Sequence, residues 1–186
     1  MDQLYIQNVL NGSTEDFRYL IRKYKDLAFS VAVSVVKNEF EAEEVVQEAF
    51  IKAFKNLASL KDKAFFKTWF YRILINEAFK SLEKKKREIV LPTSQNLPEI
   101  EDFEEPFRGF NVEEQKFLVT ESLKKIPAKE SLSLQLFFLD GSSIEEITNL
   151  TGWSESNVKV ILHRARKHLL VVVKEMMENE LIVSKS

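Results

Sequence analysis

Ser156, Lys159, His163 and Lys167 recur every three or four residues, with Arg164 beside His163, within SSIEEITNLTGWSESNVKVILHRARKHL, residues 142–169. On a helix, that spacing gathers hydroxyl, ammonium, imidazole and guanidinium groups on one side, and the amide of Asn157 stands beside them. Such donors suit phosphate oxygens and the acceptor atoms of guanine. Val158, Ile161, Leu162, Ala165, Leu169, Val172 and Met176 fall on the other side as a core face. An amphipathic helix with a solvated basic face explains this one segment equally well. The residues before it favour nucleic acid. Ser143 and Glu146 have capping-box spacing, Gly152 supplies a left-handed turn, and Ser154 restarts the chain as a new N-cap. A short helix, a tight turn and a basic helix make a helix-turn-helix, whose second helix usually enters a major groove.

A second set of donors lies in FFKTWFYRILINEAFKSLEKKKR, residues 65–87. Most of this helix is apolar, but Trp69, Arg72, Asn76, Lys80, Glu83 and Arg87 form a stripe, and Lys84 to Lys86 extend the charge. An aromatic ring with basic and amide groups on one face suits a nucleic-acid backbone and an unstacked base. Core packing of Trp69, with the terminal lysines complementing the helix dipole, is the plainer account of those residues. Arg72, Asn76 and Lys80 together favour a surface.

A third set is acidic. In FEAEEVVQEAFIKAFKN, residues 40–56, the expected outer side carries Glu41, Glu44, Gln47, Glu48, Ile51 and Lys55. Glu44 and Glu48 are like charges one turn apart, which mildly destabilises a helix. A basic partner would offset that. Acids near an N-terminus also complement the dipole, but this accounts poorly for Glu48 and for an exposed Ile51.

The elements that must position these groups are helical. The 186 residues are 45% hydrophobic and 30% charged, with only four Gly and four Pro, which predicts an all-α protein with few tight turns. Helices are expected over 2–10, 13–37 (with Ser13 and Asp16 as a capping-box-like start), 40–56 capped by Asn38, and 65–87. Two more are expected over 113–126 and 128–139, with a stop at Pro127. Residues 89–112 hold three of the four prolines and no helical period, so they read as a linker between helical domains at 1–88 and 113–186. Net charge is −2 overall, divided as +3 over 1–88, −6 over 89–114 and +1 over 115–186. Two mildly basic parts flank an acidic segment.

The absence of cysteine excludes disulfides and thiolate chemistry. The two histidines, His163 and His168, are ill placed to share a metal, and neither a Gly-rich phosphate loop nor a nucleophile–base arrangement is visible. An enzyme is therefore not expected, and no cofactor is implied. No signal pattern or membrane-spanning run is present, which sets a cytoplasmic expectation without membrane insertion.

EAEEVVQEAFIKAF followed by FKTWFYRILINEAFKSLEKKKR resembles region 2 of bacterial sigma factors, and EEITNLTGWSESNVKVILHRARKHL is similar to their region 4. The two motifs in this order, with little else, resemble the extracytoplasmic-function group. The resemblance covers roughly residues 10–87 and 115–172. It implies that Glu41, Glu44, Gln47 and Glu48 dock on the clamp helices of core RNA polymerase. It implies that Arg72, Asn76 and Lys80, extended by Lys84 and Arg87, bind the minus-ten element of promoter DNA. Lys61, Lys63 and Phe66 are weaker candidates in the loop that captures a flipped base. Ser156, Asn157, Lys159, His163, Arg164 and Lys167 are implied to read the minus-thirty-five element. The acidic linker resembles the segment that threads toward the polymerase active site, and family members are commonly held by an anti-sigma factor. Val160 and Ile161 stand where the family often has polar groups, and Ser131 where it often has Arg nearby, so the bases read do not transfer. Two alternatives remain at this level: a stand-alone helix-turn-helix regulator, and a module that mimics a sigma factor to sequester its partner.

Overall fold

A computed structural model describes residues 1–88 and 111–183, and all regular structure among them is helical. The helices are α1 (Asp2–Leu10), α2 (Phe17–Val36), α3 (Glu39–Lys55), α4 (Phe66–Glu88), α5 (Val112–Lys125), α6 (Ala128–Leu134), α7 (Ile144–Thr151) and α8 (Glu155–Val183). Among the described residues, no helix is long and apolar enough to cross a membrane. Most of the expected linker lies outside them.

Helices α2, α3 and α4 pack against one another through their apolar stripes. Leu20, Ala28, Val31 and Val35 of α2, Ala42 and Ala49 of α3, and Phe70 and Leu74 of α4 are completely buried. Small residues on α3 let its axis approach α2 and α4, and aromatic rings fill the remaining space. The Phe50 and Phe70 rings stack with centroids 4.5 Å apart, and Phe66 lies 5.9 Å from Phe70. Burying each such ring removes enough apolar surface from water to stabilise the fold by about 2–3 kcal/mol. The second group of helices closes around Leu132, Leu136, Ile147, Val158 and Ala165.

Asn38 caps α3 as expected, accepting the Glu41 N–H at 2.9 Å. The start expected at Ser13 is different. Residues Thr14–Asp16 form a 3₁₀ turn, Ser13 makes no side-chain cap, and α2 begins at Phe17. The helix expected over 128–139 also changes character, because α6 passes into a π-helical turn at Gln135–Leu139.

The capping box of α7 is complete. Ser143 Oγ accepts the Glu146 N–H at 3.1 Å, and Glu146 Oε2 accepts the Ser143 N–H at 2.7 Å. Those bonds hold the Glu146 carboxyl below its ordinary pKa. Gly152 ends α7 at φ 73°, donating its N–H to the Thr148 carbonyl. Ser143→Ala should cost about 1 kcal/mol, a fall of roughly 2–4 °C in a melting curve. Ser143→Asn should retain most of that stability, because the amide oxygen can serve as the cap.

The core does not stop at the boundary between α1–α4 and α5–α8. It forms one continuous apolar cluster, with α2 against α5 and α6, and α4 against α7. Lys37, the left-handed C-cap of α2 at φ 63°, donates from Nζ to the Leu123 carbonyl of α5 at 2.5 Å. Beside it, Lys124 of α5 meets Glu39 of α3 at 3.4 Å.

Candidate nucleic-acid interface

The N-terminal part of α8 separates its two faces as its sequence period requires. Val158, Ile161, Leu162 and Ala165 are buried, whereas Ser156, Asn157, Lys159, His163 and Arg164 are exposed and Lys167 is half-buried. Ser154 Oγ accepts the Asn157 N–H at 3.3 Å, which fixes where the helix starts and hence which residues face outward. Lys159 pairs with Glu155 at 2.6 Å in full solvent, a contact that phosphate could replace at little cost. His168 does not join this surface. It turns inward and pairs with the buried Glu130 of α6.

On α4, Arg72, Asn76, Lys80 and Lys84 are exposed, while Phe70, Tyr71, Leu74 and Ala78 fill the core. The side chain of Arg87 lies outside the described residues. Trp69 is half-buried and packs 5.9 Å from the Phe66 ring, so it belongs partly to the core and partly to the surface. The expectation for Phe66 is overturned: it is 1% exposed and lies in the core, whereas Phe65 is 63% exposed. The spacing Phe66–Phe70–Leu74, one residue per turn, was the signal that separates the two. A cleft of about 610 Å³ runs beside Phe65, with Lys61, Trp69 and Arg72 on one wall and Asn149 and Leu150 of α7 on the other. Across it, Arg72 Nε donates to the Asn149 carbonyl at 2.6 Å.

The acidic residues of α3 do not share one surface. Glu41 turns toward α4 and meets Lys85 at 2.5 Å, an ion pair not anticipated from sequence. Glu44 and Glu48 line a cleft between α3 and α4, opposite Lys80 and Lys84. Gln47 lies on the other flank with Glu43, at the rim of an apolar groove of about 610 Å³ between α2 and α3. Phe29 and Val46 line that groove, and the exposed Ile51 and Phe54 edge it. Lys52 is held by Glu77 of α4 at 2.6 Å, which raises its pKa and ties the two helices together. The arrangement offers an apolar slot between α2 and α3 with Glu43 and Gln47 at its rim, and a mixed cleft between α3 and α4 where Glu44 and Glu48 face Lys80 and Lys84.

Comparison with known proteins matches these two groups of helices to two family models. Residues 20–88 match Sigma-70 region 2, and residues 116–169 match Sigma-70, region 4. The RNA polymerase sigma-H factor of Pseudomonas aeruginosa is 30% identical over 176 residues, covering 89% of this chain and 90% of that protein. The ECF RNA polymerase sigma-E factor of Escherichia coli K12 is 30% identical over 177 residues, with coverage of 89% and 91%. SigW of Bacillus subtilis, also an ECF sigma factor, is 28% identical over 172 residues, with coverage of 88% and 92%. Among solved structures, the sigma factor RpoE of Bartonella quintana, in complex with the anti-sigma factor NepR, shares the fold at a TM-score of 0.65. It is 21% identical and covers 87% of this chain and 98% of that one. CnrH in complex with the cytosolic domain of CnrY gives 0.63 at 19% identity, with coverage of 94% and 97%. Regions 2 and 4 in this order, with relatives of this identity along nearly the whole length, make the chain a member of the extracytoplasmic-function group of RNA polymerase sigma factors.

Proposed function

We propose that this sigma factor directs core RNA polymerase to promoters through three sets of residues, with residues 1–88 and 113–186 as its two working domains and 89–112 as their acidic linker. The α2/α3 groove with Gln47 at its rim, together with Glu41, Glu44 and Glu48 on the α4-facing side of α3, docks on polymerase. Arg72, Asn76, Lys80, Lys84 and Arg87 hold the minus-ten element, where Phe65 takes the place expected for Phe66. Ser156, Asn157, Lys159, His163, Arg164 and Lys167 lie in the major groove of the minus-thirty-five element. The chain makes and breaks no bonds, needs no cofactor and works in the cytoplasm, where an anti-sigma factor is its natural regulator. The observation that carries this reading is the exposed row of donors on α8, set beyond a complete cap and a left-handed glycine.

Net charges of +3 over 1–88 and −1 over 113–186 release few counterions, so the isolated chain should bind duplex DNA weakly. Run-off transcription with core polymerase on a promoter library should give promoter-dependent products. A gel shift at physiological salt should show tight binding only when core polymerase is present. Nanomolar binding by the chain alone would instead support a stand-alone regulator.

A further inference from the structure

We infer that Val160 reads the methyl group of a thymine in the minus-thirty-five element. The inference rests on the promoter-directing reading above and adds to it a residue whose side chain can make no hydrogen bond. Val160 is 49% exposed, in the second turn of α8. Every other exposed residue from Glu155 to Arg166 carries a polar side chain. Ile161, the apolar neighbour of Val160, is 9% exposed and belongs to the core. The two adjacent residues therefore divide: one packs the helix onto its domain, and the other stands in solvent.

Val160 is also central to the face. At about 100° per residue, Ser156, Asn157, His163 and Arg164 all lie within about 60° of it around the helix, and all four are exposed. The buried Val158, Ile161, Leu162 and Ala165 lie about 100° or more away. Arg164 and Lys167 have long side chains that can reach the phosphates on the groove walls. The valine is short and, being β-branched, nearly fixed at χ1, so its methyl groups hold one direction close to the helix. A helix about 10–12 Å across fills a major groove about 12 Å wide, and the centre of its inserted face meets the groove floor, where the base edges lie. The first turns of a recognition helix are the ones that approach those edges.

Neither local structure nor packing accounts for a valine at this place. A β-branched residue is a poorer helix former than the Lys, Arg or Glu that suit a solvated face, and at this exposure it adds little to the core. The chemistry of the bases does account for it. Every base pair presents donors or acceptors in the major groove, and the apolar group among them is the C5-methyl of thymine. Valine against that methyl takes both out of water. Valine against the cytosine amino group or guanine O6 strips the polar group of water and returns no hydrogen bond. One side chain thus favours a T·A pair and disfavours G·C, while the donors around it read the neighbouring pairs.

Replacing thymine by deoxyuridine removes only the methyl group. Run-off transcription on a library with a randomised minus-thirty-five element identifies the preferred sequence. Holoenzyme binding is then titrated on promoters that carry one thymine-to-deoxyuridine replacement at a time. At one position the replacement should weaken binding by the parent holoenzyme about fourfold, the worth of one methyl group taken out of water. Holoenzyme with Val160→Ala, a change that favours the helix, should be weaker on the thymine promoter by a similar factor and should lose almost nothing more on deoxyuridine. Replacements that are all neutral to the parent would overturn the assignment, and so would a methyl effect of equal size in Val160→Ala. A library that yields no promoter-dependent product with the parent would overturn the promoter-directing reading instead.

Discussion

Glu44→Gln/Glu48→Gln should bind core polymerase about thirtyfold more weakly than the parent at physiological salt while melting at the same temperature or slightly higher. The two effects separate because the carboxylates have no strong structural role. Both are exposed, one turn apart, and repel each other. Glu48 has one intrahelical partner, Lys52, at 3.6 Å, and Lys52 keeps its 2.6 Å contact with Glu77 when Glu48 is neutral. Neutralisation should therefore gain a few tenths of a kcal/mol in the fold. Rim charges facing a basic partner are worth about 1 kcal/mol each in binding, acting mostly on the association rate. A stopped-flow association series against salt would test this. The gap between parent and variant should shrink as ionic strength shortens the range of the charges. Equal association at low salt would remove Glu44 and Glu48 from the docking surface and leave the α2/α3 groove as its whole extent.

That distinction within α3 shows where the sequence was legible. A period of 3.6 residues divides a helix into two faces, and for α8 two faces suffice: one side is core and the other is solvent. Helix α3 is packed on two sides, against α2 and α4, so its polar residues have three destinations rather than one. Glu41 goes to Lys85, Glu44 and Glu48 go to one cleft, and Gln47 goes to the other. The adjacent Phe65 and Phe66 were separable in principle by the Phe66–Phe70–Leu74 register of the helix expected over 65–87, but the resemblance assigned Phe66 to the loop before it. Caps are local chemistry, which is why Asn38 and Ser143 were readable. Ser13 misled because its pattern also suits a 3₁₀ turn. The π-helical turn at Gln135–Leu139 has no polar signature at all. The contact between α4 and α7 was invisible for a different reason: Arg72 and Asn149 are 77 positions apart, and nothing local to either residue specifies the other.

Lys37→Met should hold α5–α8 closed more firmly against α1–α4 below neutral pH and abolish the pH dependence of that closed contact. In the closed form, burial lowers the Lys37 pKa from its ordinary 10.5 to about 7, and the nearby Glu130 carboxylate offsets only part of that. The groups facing this seam are the Leu123 carbonyl of α5, Glu130 of α6 and the Glu39–Lys124 pair, with His168 of α8 behind Glu130. Below pH 7 the lysine is protonated whether the chain is open or closed, and closure bears the full cost of burying the charge. From about pH 7 to 10.5 the open form still holds the proton while the closed form has released it. Closure then strengthens as pH rises, by up to about 1.4 kcal/mol per unit. Methionine keeps the length and bulk of the side chain without the charge. It leaves the Leu123 carbonyl without a donor, at a cost of about 1–3 kcal/mol. An enclosed ammonium costs several kcal/mol, so the exchange favours closure in acid and loses its advantage in base. A self-quenching dye pair at the Glu39→Cys and Lys124→Cys positions would report closure directly. The parent should quench progressively from pH 7 to 10, and the Lys37→Met chain should be quenched and flat across the range. A parent that is flat as well would mean that Lys37 carries its charge unaltered in the closed chain.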